Sequence, residues 1–332
     1  MGAEFKQIRI KGKQVAVPAI GIENRTIVAK GKWVKIATIH DENWVEGEAI
    51  KDPAAAIAKL CQENFKADLL TFAQRVPDLK PKFNYPIDWD NVAAITLSSY
   101  LDWWENRVPQ ETRKNTRRSA KRGVTVRVVS LDDRFIQGVT DIYNETPIRQ
   151  GKPFPKYGQD FETVKKDVSQ LADRSDFIGA YFGEELIGFV KLVYLGNKVA
   201  SILSINSKNQ HFDKRPTNIL MSRTVEICCE KGMTHLLYGR YTYGNKSASP
   251  LTEFKRRNGF EKVLVPRYFI PLTLKGRLVL MLNMHQGLIA MLPGGLVDFL
   301  VKVRAFLFKK KAKTTEVSEQ DNQPARDQMQ NA

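Results

Sequence analysis

The order in which strand-like and helix-like segments follow one another between Val92 and Leu272 is the strongest constraint on the fold. Short apolar runs rich in β-branched and aromatic residues predict strands, and longer amphipathic segments that end at glycine predict helices. The predicted strands are residues 92–97, 124–129, 177–182, 186–194, 199–205, 235–238 and 260–271. The predicted helices are a turn capped by Ser99 and residues 107–122, 135–145, 161–171, 218–231 and 250–258. This order indicates a mixed α/β domain (α+β) over residues 92–272.

The segments on either side of this domain differ from it in pattern. Residues 1–91 contain short alternating stretches and a helix that opens at Asp52–Pro53, and they predict an N-terminal β-rich extension. That extension is either a subdomain of its own or part of the same sheet. Residues 273–308 form two amphipathic apolar stretches divided by Pro293-Gly294-Gly295, and residues 309–332 are a polar tail expected to be disordered.

The net charge of +16 is concentrated in two short segments. Residues 107–127 contain eight basic residues and one acid, and residues 302–313 contain six basic residues and no acid. Local concentrations of this kind favour docking to an anionic partner, which is either a nucleic acid such as tRNA or an anionic membrane surface.

The cysteines and histidines predict neither a disulfide framework nor a metal site. Three cysteines lack metal-type spacing, Cys228-Cys229 lies in an apolar helical stretch, and the four histidines are scattered. The first residues are charged and lack the apolar core of a signal peptide. We expect a cytoplasmic protein without metal, and the C-terminal lysines suggest peripheral attachment to the inner membrane face.

Two strings within the central domain resemble the GNAT superfamily of acyltransferases. Phe177-Ile-Gly-Ala-Tyr-Phe-Gly-Glu-Glu-Leu-Ile-Gly-Phe-Val190 is similar to the second and third strands of that family and the hairpin between them. Phe254-Lys-Arg-Arg-Asn-Gly-Phe260 resembles its late junction between a helix and a strand. The resemblance covers about residues 124–272 and implies a GNAT-like acyl-CoA N-acyltransferase fold.

A narrower resemblance is to the Fem-type aminoacyltransferases that build peptidoglycan bridges. It depends on Arg113-Lys-Asn-Thr-Arg-Arg-Ser-Ala-Lys-Arg-Gly-Val124 ahead of the core and on Phe254-Lys255-Arg256 near its end. The resemblance implies transfer of an acyl or aminoacyl group to an amino group, on a small-molecule or lipid-linked acceptor such as a cell-envelope precursor.

The expected donor loop departs from the GNAT pattern. Enzymes of that superfamily that use coenzyme A carry Gln/Arg-x-x-Gly-x-Gly/Ala, whose bare amides and following helix N-terminus hold a pyrophosphate. The matching segment, Gln210-His-Phe-Asp-Lys-Arg-Pro-Thr217, has no glycine. Lys214, Arg215 and the helix start near Asn218 are the remaining candidates for phosphate contacts. The donor is therefore either aminoacyl-tRNA or an acyl-CoA bound by an atypical loop.

The helix predicted over residues 107–122 carries the sharpest charge signal. Its basic residues recur four apart in two adjacent rows and form one cationic face, namely Arg113, Lys114, Arg117, Arg118, Lys121 and Arg122. The other side is almost without apolar residues, so we expect the helix to gain little from burial. An anionic partner would offset the repulsion, although acids elsewhere in the chain would do so too.

Candidates for the chemistry itself are fewer. In a GNAT fold the string from Tyr238 to Ser247 lies at the rim of the active-site cleft. Arg240 and Lys246 are candidate phosphate contacts there, as is Lys255 on the next helix, and Tyr241 and Tyr243 are candidate proton donors to a leaving group. The same loop is also compatible with simple packing.

Amine attack requires a base, and the strand at residues 199–206 offers no carboxylate. Glu145 is the candidate, with Asp160 and Glu253 as alternatives.

Three functions fit these observations. The first is an acyl or aminoacyl transferase of the Fem type, and the second is a coenzyme A-dependent N-acetyltransferase with an atypical phosphate loop. The third is a non-catalytic GNAT-like module that binds RNA or anionic lipid.

Overall fold

The computed structural model describes residues 4–10, 13–149, 152–243 and 249–286. Its strands are β1 (Glu4–Ile10), β2 (Lys13–Ile22), β3 (Arg25–Lys30), β4 (Ile36–Ile39), β5 (Leu69–Ala73), β6 (Ile87–Thr96), β7 (Val124–Val129), β8 (Ile148–Arg149), β9 (Lys152–Pro153), β10 (Ser175–Phe182), β11 (Glu185–Tyr194), β12 (Val199–Ser207), β13 (His235–Leu237) and β14 (Glu261–Pro271). Its helices are α1 (Pro53–Gln62), α2 (Tyr100–Asp102), α3 (Gln110–Lys121), α4 (Asp133–Asn144), α5 (Phe161–Ser169), α6 (Pro216–Glu230), α7 (Pro250–Arg257) and α8 (Leu274–Met281).

Twelve of these strands form one sheet in the order β1-β2-β3-β4-β5-β14-β6-β13-β12-β11-β10-β7. Strand β6 lies between β14 and β13 and is antiparallel to both. The boundary expected at Val92 therefore falls inside β6, and the strands before it extend the same sheet. Of the two arrangements left open by the sequence, the structure has the continuous sheet.

The two faces of the sheet carry separate apolar cores. Side chains alternate along β10 and β11, so that Ile178 and Val190 point to one face and Phe177 and Phe189 to the other. The first face packs under α6 and includes the buried Trp103. The second packs under α4 and α5. Because helices cover both faces, β11 is buried along nearly its whole length.

The basic helix α3 differs from its expected form in two respects. It begins at Gln110 rather than at residue 107, because a proline ring at position 109 disfavours helical backbone in the residue before it. Its uncharged side is also buried, contrary to expectation: Thr112, Thr116 and Ser119 face inward, and the helix packs against α6. Small hydroxyl side chains permit this close approach, since Thr116 returns its hydroxyl to the Thr112 carbonyl at 3.0 Å.

The chain divides into two units, and the second begins at Pro271. Its described part contains α8, which is capped by Thr273 through a 3.0 Å bond from the Gly276 N–H. The apolar stretch expected from residue 278 is described as far as Gln286. The second stretch at 296–308, the lysines at 309–313 and the expected disordered tail lie outside the described residues. Within the part of the chain that is described, no helix is long and apolar enough to cross a bilayer.

Candidate active site

The sheet opens between β12 and β13. These two strands are parallel and pair at three positions, the last being Ser201 with Leu237. Beyond that point β12 continues to Ser207 alongside β11, whereas the chain after Leu237 stays alongside β6, where the Tyr238 N–H donates to the Ala93 carbonyl at 2.9 Å. The register between β11 and β12 shifts at the start of this opening, which leaves Leu203 as a bulge.

The segment that follows β13 is held against β6 by polar side chains. The Thr242 N–H donates to Asn91 Oδ1 at 2.7 Å, and Arg240 Nη2 lies 3.6 Å from Asp90 Oδ1. Gly239 has φ of +57°, and a Cβ there would lie 2.8 Å from Tyr243 Oη. The left-handed backbone thus favours glycine at position 239, and a side chain there would displace the Tyr243 hydroxyl.

Lys255 is the most unusual side chain at this opening. It is fully buried, its Nζ donates to the Arg240 carbonyl, and it lies 4.9 Å from the ring centroid of Tyr238 and 5.0 Å from that of Tyr243. Burial lowers the pKa of Lys255 to about 8, and within the described residues no carboxylate offsets that effect. An amine of this kind exchanges a proton near neutral pH, as general acid–base chemistry requires.

The other residues predicted in this segment are placed unevenly. Arg240 and Tyr243 are exposed, and Tyr241 is half-buried against the apolar core beside α6. Lys246 lies outside the described residues. The structure therefore brings Arg240, Tyr243 and Lys255 together, and the role of Tyr241 as a proton donor stays a prediction.

Glu145 is occupied by backbone groups. Its Oε2 accepts from the Asn209 N–H at 2.7 Å and its Oε1 from the Gln210 N–H at 2.8 Å, with Arg149 Nη2 at 3.6 Å. These contacts fix the start of the turn that follows β12, so the geometry favours a positioning role over that of a base.

The two alternative carboxylates are occupied as well. Asp160 caps α5 by accepting from the Thr163 N–H at 2.7 Å. Hydrogen bonds from Arg256 and Arg257 lower the pKa of Glu253 to about 2.

The expected donor loop is a short 3₁₀ turn, Asn209–Lys214, that leads into α6. Arg215 takes left-handed backbone at φ +55° ahead of Pro216, which has no N–H, and the Asn218 N–H bonds back to the Arg215 carbonyl at 3.1 Å. Lys214 Nζ lies 4.6 Å from the Phe182 ring centroid. The turn thus offers a diphosphate few of the free backbone amides that a glycine loop supplies.

The cations predicted on α3 fall into two groups. Arg113 is paired within the chain, donating to Glu105 Oε2 at 2.5 Å and to the Trp104 carbonyl at 3.2 Å. Arg122 donates to the Asp213 carbonyl, which joins the end of α3 to the turn before α6. The remaining cations of α3 and those of this turn form a mainly cationic area, with the Asp213 carboxylate 3.9 Å from Arg122 and 3.5 Å from Lys214. It is here named the α3/α6 basic surface and consists of Lys114, Arg117, Arg118, Lys121, Arg122, Lys214 and Arg215.

A cleft of about 610 Å³ lies on the α5 side of the sheet. Leu203, the bulged residue of β12, is part of its wall, so the cleft reaches the strand that borders the opening. Its ionisable groups have partners: Arg174 Nη1 lies 2.8 Å from Glu46 Oε1, Arg25 Nη2 donates to the Glu46 carbonyl at 2.7 Å, and His40 Nε2 lies 3.1 Å from Asp41 Oδ2. In the described ranges, no group of three or more His, Cys, Asp or Glu side chains is arranged to hold a metal ion.

Comparison with solved structures defines the class of fold. The chain is similar to FemX, with 12% identity and a TM-score of 0.55 over 84% of this chain and 90% of that one. It is similar to the C-terminal domain of a putative lysylphosphatidylglycerol synthetase from Agrobacterium fabrum, with 16% identity and a TM-score of 0.51 over 80% and 87% of the two chains. It is also similar to L-PGS from Bacillus licheniformis, with 15% identity and a TM-score of 0.52 over 80% and 88%.

The fold is accordingly GNAT-like and of the Fem type, which confirms both resemblances drawn from the sequence. No family model and no curated protein sequence matches the chain. At these identities the comparison establishes the fold alone.

Sequence reasoning missed the groups that assemble the opening. Asp90 and Asn91 hold the segment after β13, but their positions in β6 carried no local signal. Lys255 was noted as a phosphate contact and not as a buried amine. The available signal was its place beside Phe254 in a helix that runs into an apolar strand.

Proposed function

We propose that this protein transfers an acyl or aminoacyl group from a large anionic carrier, aminoacyl-tRNA, to an amino group on a lipid-linked or cell-envelope precursor. The observation that carries the proposal is the buried, carboxylate-free amine of Lys255 at the opening between β12 and β13. A transferase that joins an amine to an activated carbonyl needs a proton acceptor at the attacking nitrogen.

In the proposed reaction the neutral amine of Lys255 accepts the proton that the acceptor nitrogen loses as it attacks the donor carbonyl. The proton then passes to the leaving oxygen of the carrier, and Tyr243, whose ring lies 5.0 Å from Lys255 Nζ, is the candidate relay. The pKa of about 8 suits both steps, because the two forms of the amine are populated near neutral pH.

The donor side favours a polyanion over coenzyme A. The turn before α6 is poor in free backbone amides, whereas the α3/α6 basic surface extends from that turn along α3 as far as Lys114. Several spaced cations match a nucleic-acid backbone, whose binding weakens steeply with salt as counterions are released.

The acceptor side favours an amphipathic substrate. The cleft of about 610 Å³ on the opposite face reaches Leu203 and would admit the amine from the side away from the donor. The name of one similar structure refers to lysylphosphatidylglycerol, a lipid that carries an amino acid. The basic segment at residues 302–313 would attach the protein to the anionic membrane surface that displays such a substrate.

The test is a transfer assay that offers both donor classes. Purified protein is incubated with tRNA charged with labelled amino acids, or with a series of acyl-CoA thioesters, and with amine-bearing lipid-linked precursors. We expect label to pass from charged tRNA to the lipid fraction, and R117Q/R118Q to weaken tRNA binding by more at 50 mM than at 300 mM salt. Transfer from thioesters alone would replace this donor with coenzyme A. Absence of transfer from either donor, with tRNA still bound, would leave the non-catalytic binding module.

A further inference from the structure

A second, smaller cavity lies beside the end of β5, with a volume of about 250 Å³. It is bounded by the segment after β4, by the residues that follow β5 and by the turn between β11 and β12. Most of its wall is apolar, and the side chains that matter for the argument are Val45, Ala49, Ile50, Phe72, Val76 and Leu237.

Arg75 lies in this wall, and part of its guanidinium is not hydrogen-bonded. Its Nε and Nη2 are buried and have no hydrogen-bond partner within the described part of the chain. Buried polar groups are almost always paired, and a charged one left unpaired costs more than a neutral one. These two nitrogens lie on the same edge of the guanidinium, which is the edge that binds a carboxylate side-on through two parallel hydrogen bonds.

The carboxylates near Arg75 are already occupied. Glu42, whose charge is felt most strongly by Arg75, accepts from the Ala73 N–H at 2.7 Å and from Arg267 Nη2 at 2.7 Å. At the rim of the cavity, Glu48 and Asp78 both pair with Lys82, at 2.5 and 2.6 Å. No other acid lines the cavity in the described residues. The fork of Arg75 is therefore without a counter-anion in the described residues, and a ligand entering the cavity reaches it by displacing the side chains that cover these two nitrogens.

The segment that carries Arg75 is held rigidly. Gln74 donates from Nε2 to the carbonyls of Asp78 and Lys80, both at 2.8 Å, and its Oε1 accepts from the Lys82 N–H at 3.1 Å. The Tyr268 hydroxyl donates to the same oxygen. A site whose anchor is fixed before binding loses little entropy when a ligand enters.

We propose that this cavity binds a small organic monocarboxylate with an apolar body, held side-on by Arg75. The apolar wall accounts for the body, and the paired donors account for the carboxylate. The other cations of the wall are Lys82, which is paired with two acids, and Lys198, which is exposed, so the carboxylate is favoured by the side-on fork of Arg75 and by the apolar wall. Burial lowers the pKa of Arg75, and a bound carboxylate would reverse that effect. The site is independent of the proposed transfer reaction and stands whether or not transfer is observed.

The first experiment needs no variant. The full chain is titrated calorimetrically with 4-methylpentanoate and phenylacetate, with their neutral amides, and with phenyl phosphate. We expect at least one carboxylate to bind with a dissociation constant below about 1 mM, and its amide to bind at least about tenfold more weakly. Equal binding of acid and amide would overturn the role of Arg75. Absence of carboxylate binding, or preference for the phosphate ester, would overturn the proposed ligand.

Variants then assign the contact. R75M should lower carboxylate affinity by about tenfold to a hundredfold, and R75K should restore only part of it, because lysine keeps the charge but lacks the fork. R134M removes the same charge from an exposed position on α4 and should leave binding unchanged. If R75M does not fold, A49L, which fills the cavity and keeps Arg75, should abolish binding. Unchanged affinity in whichever of these two variants folds would refute the site.

Discussion

Replacing Lys255 with methionine tests whether this side chain acts in the transfer reaction or only stabilises the fold. Methionine has a similar length and no charge, so it fills the same space. Burial lowers the pKa of Lys255 from 10.5 to about 8, which corresponds to about 3 kcal/mol against the charged form at 1.36 kcal/mol per pKa unit. K255M removes this cost but also loses the hydrogen bond to the Arg240 carbonyl, which lowers the gain in stability by about 1–2 kcal/mol. We expect K255M to be as stable as the parent at pH 7, or up to about 2 kcal/mol more stable.

The lowered pKa of Lys255 should make the stability of the parent depend on pH. Because the folded pKa lies below the unfolded one, the unfolded chain binds more protons between pH 8 and 10.5, and the stability of the parent rises with pH in that window. The cost of the buried charge is complete below pH 8 and disappears above 10.5. The stability of K255M lacks this slope, so its advantage over the parent should shrink as the pH rises from 8 towards 10.5.

The transfer rate of K255M should fall, although its stability does not. Loss of a positioned base reduces the transfer rate by about 10²- to 10⁴-fold, and in the parent the rate should rise with pH up to about 8 and then level off. Urea denaturation at pH 7 and 9.5, followed by tryptophan fluorescence, and the transfer assay on the same preparations measure both effects.

The matched control is K191M, which removes a second buried lysine with a pKa of about 8. Lys191 donates to the Val168 and Gln170 carbonyls at the end of α5, so K191M should change stability and leave the pH profile of transfer in place. A K255M variant that is destabilised by more than about 2 kcal/mol would refute the energetic argument from burial, and one that keeps its transfer rate would refute the catalytic assignment of Lys255.

Three further predictions concern the frame around the site. Gly259→Ala should cost about 1–3 kcal/mol in urea denaturation, because φ is +78° and the new Cβ would lie 3.1 Å from two side-chain atoms, whereas Gly232→Ala, at φ +67° with open space, should cost less. Glu145→Gln should lower stability by about 1–3 kcal/mol and leave the pH profile of transfer unchanged; loss of that profile would instead make the residue the base. Ser119→Leu should destabilise the fold by about 1–3 kcal/mol through overpacking against α6, and Lys114→Leu on the exposed side of the same helix should not, as thermal denaturation would report.

The sequence predicts the parts of the fold that depend on residues close together along the chain. The hairpin at Gly183 and the apolar alternation on either side of it place β10 and β11 within two residues of their observed bounds. The insertion of β6 between β13 and β14 was not predictable in this way. Pairing between strands that are more than 100 residues apart depends on the closure of the whole sheet, and the alternation within each strand is compatible with several partners.

The candidate site was predictable to the same limited extent. The string Phe254-Lys255 pointed to the right helix, but whether a lysine on a helix is buried depends on what the helix packs against. Here that is the segment after β13, which Asp90 and Asn91 of a distant strand help to hold in place. Glu145 was singled out for its charge, whereas its neighbours in space are backbone N–H groups that a list of side-chain types does not reveal.

The basic helix exposes most of the cations that the sequence places on one face, but its uncharged side is packed, contrary to expectation, and this difference bears on function. Its charges were expected to make it a poor packing element, yet α3 is attached to α6 through the uncharged side chains of Thr112, Thr116 and Ser119. The exposed cations Lys114, Arg117, Arg118 and Lys121 take no part in that attachment, and they repel one another along the helix at a cost of tenths of a kcal/mol per pair, on the order measured for like charges four residues apart. Arg113 and Arg122 are held by Glu105 and Asp213, so the rest of the row is the surface on which an anionic partner gains binding energy without disturbing the core.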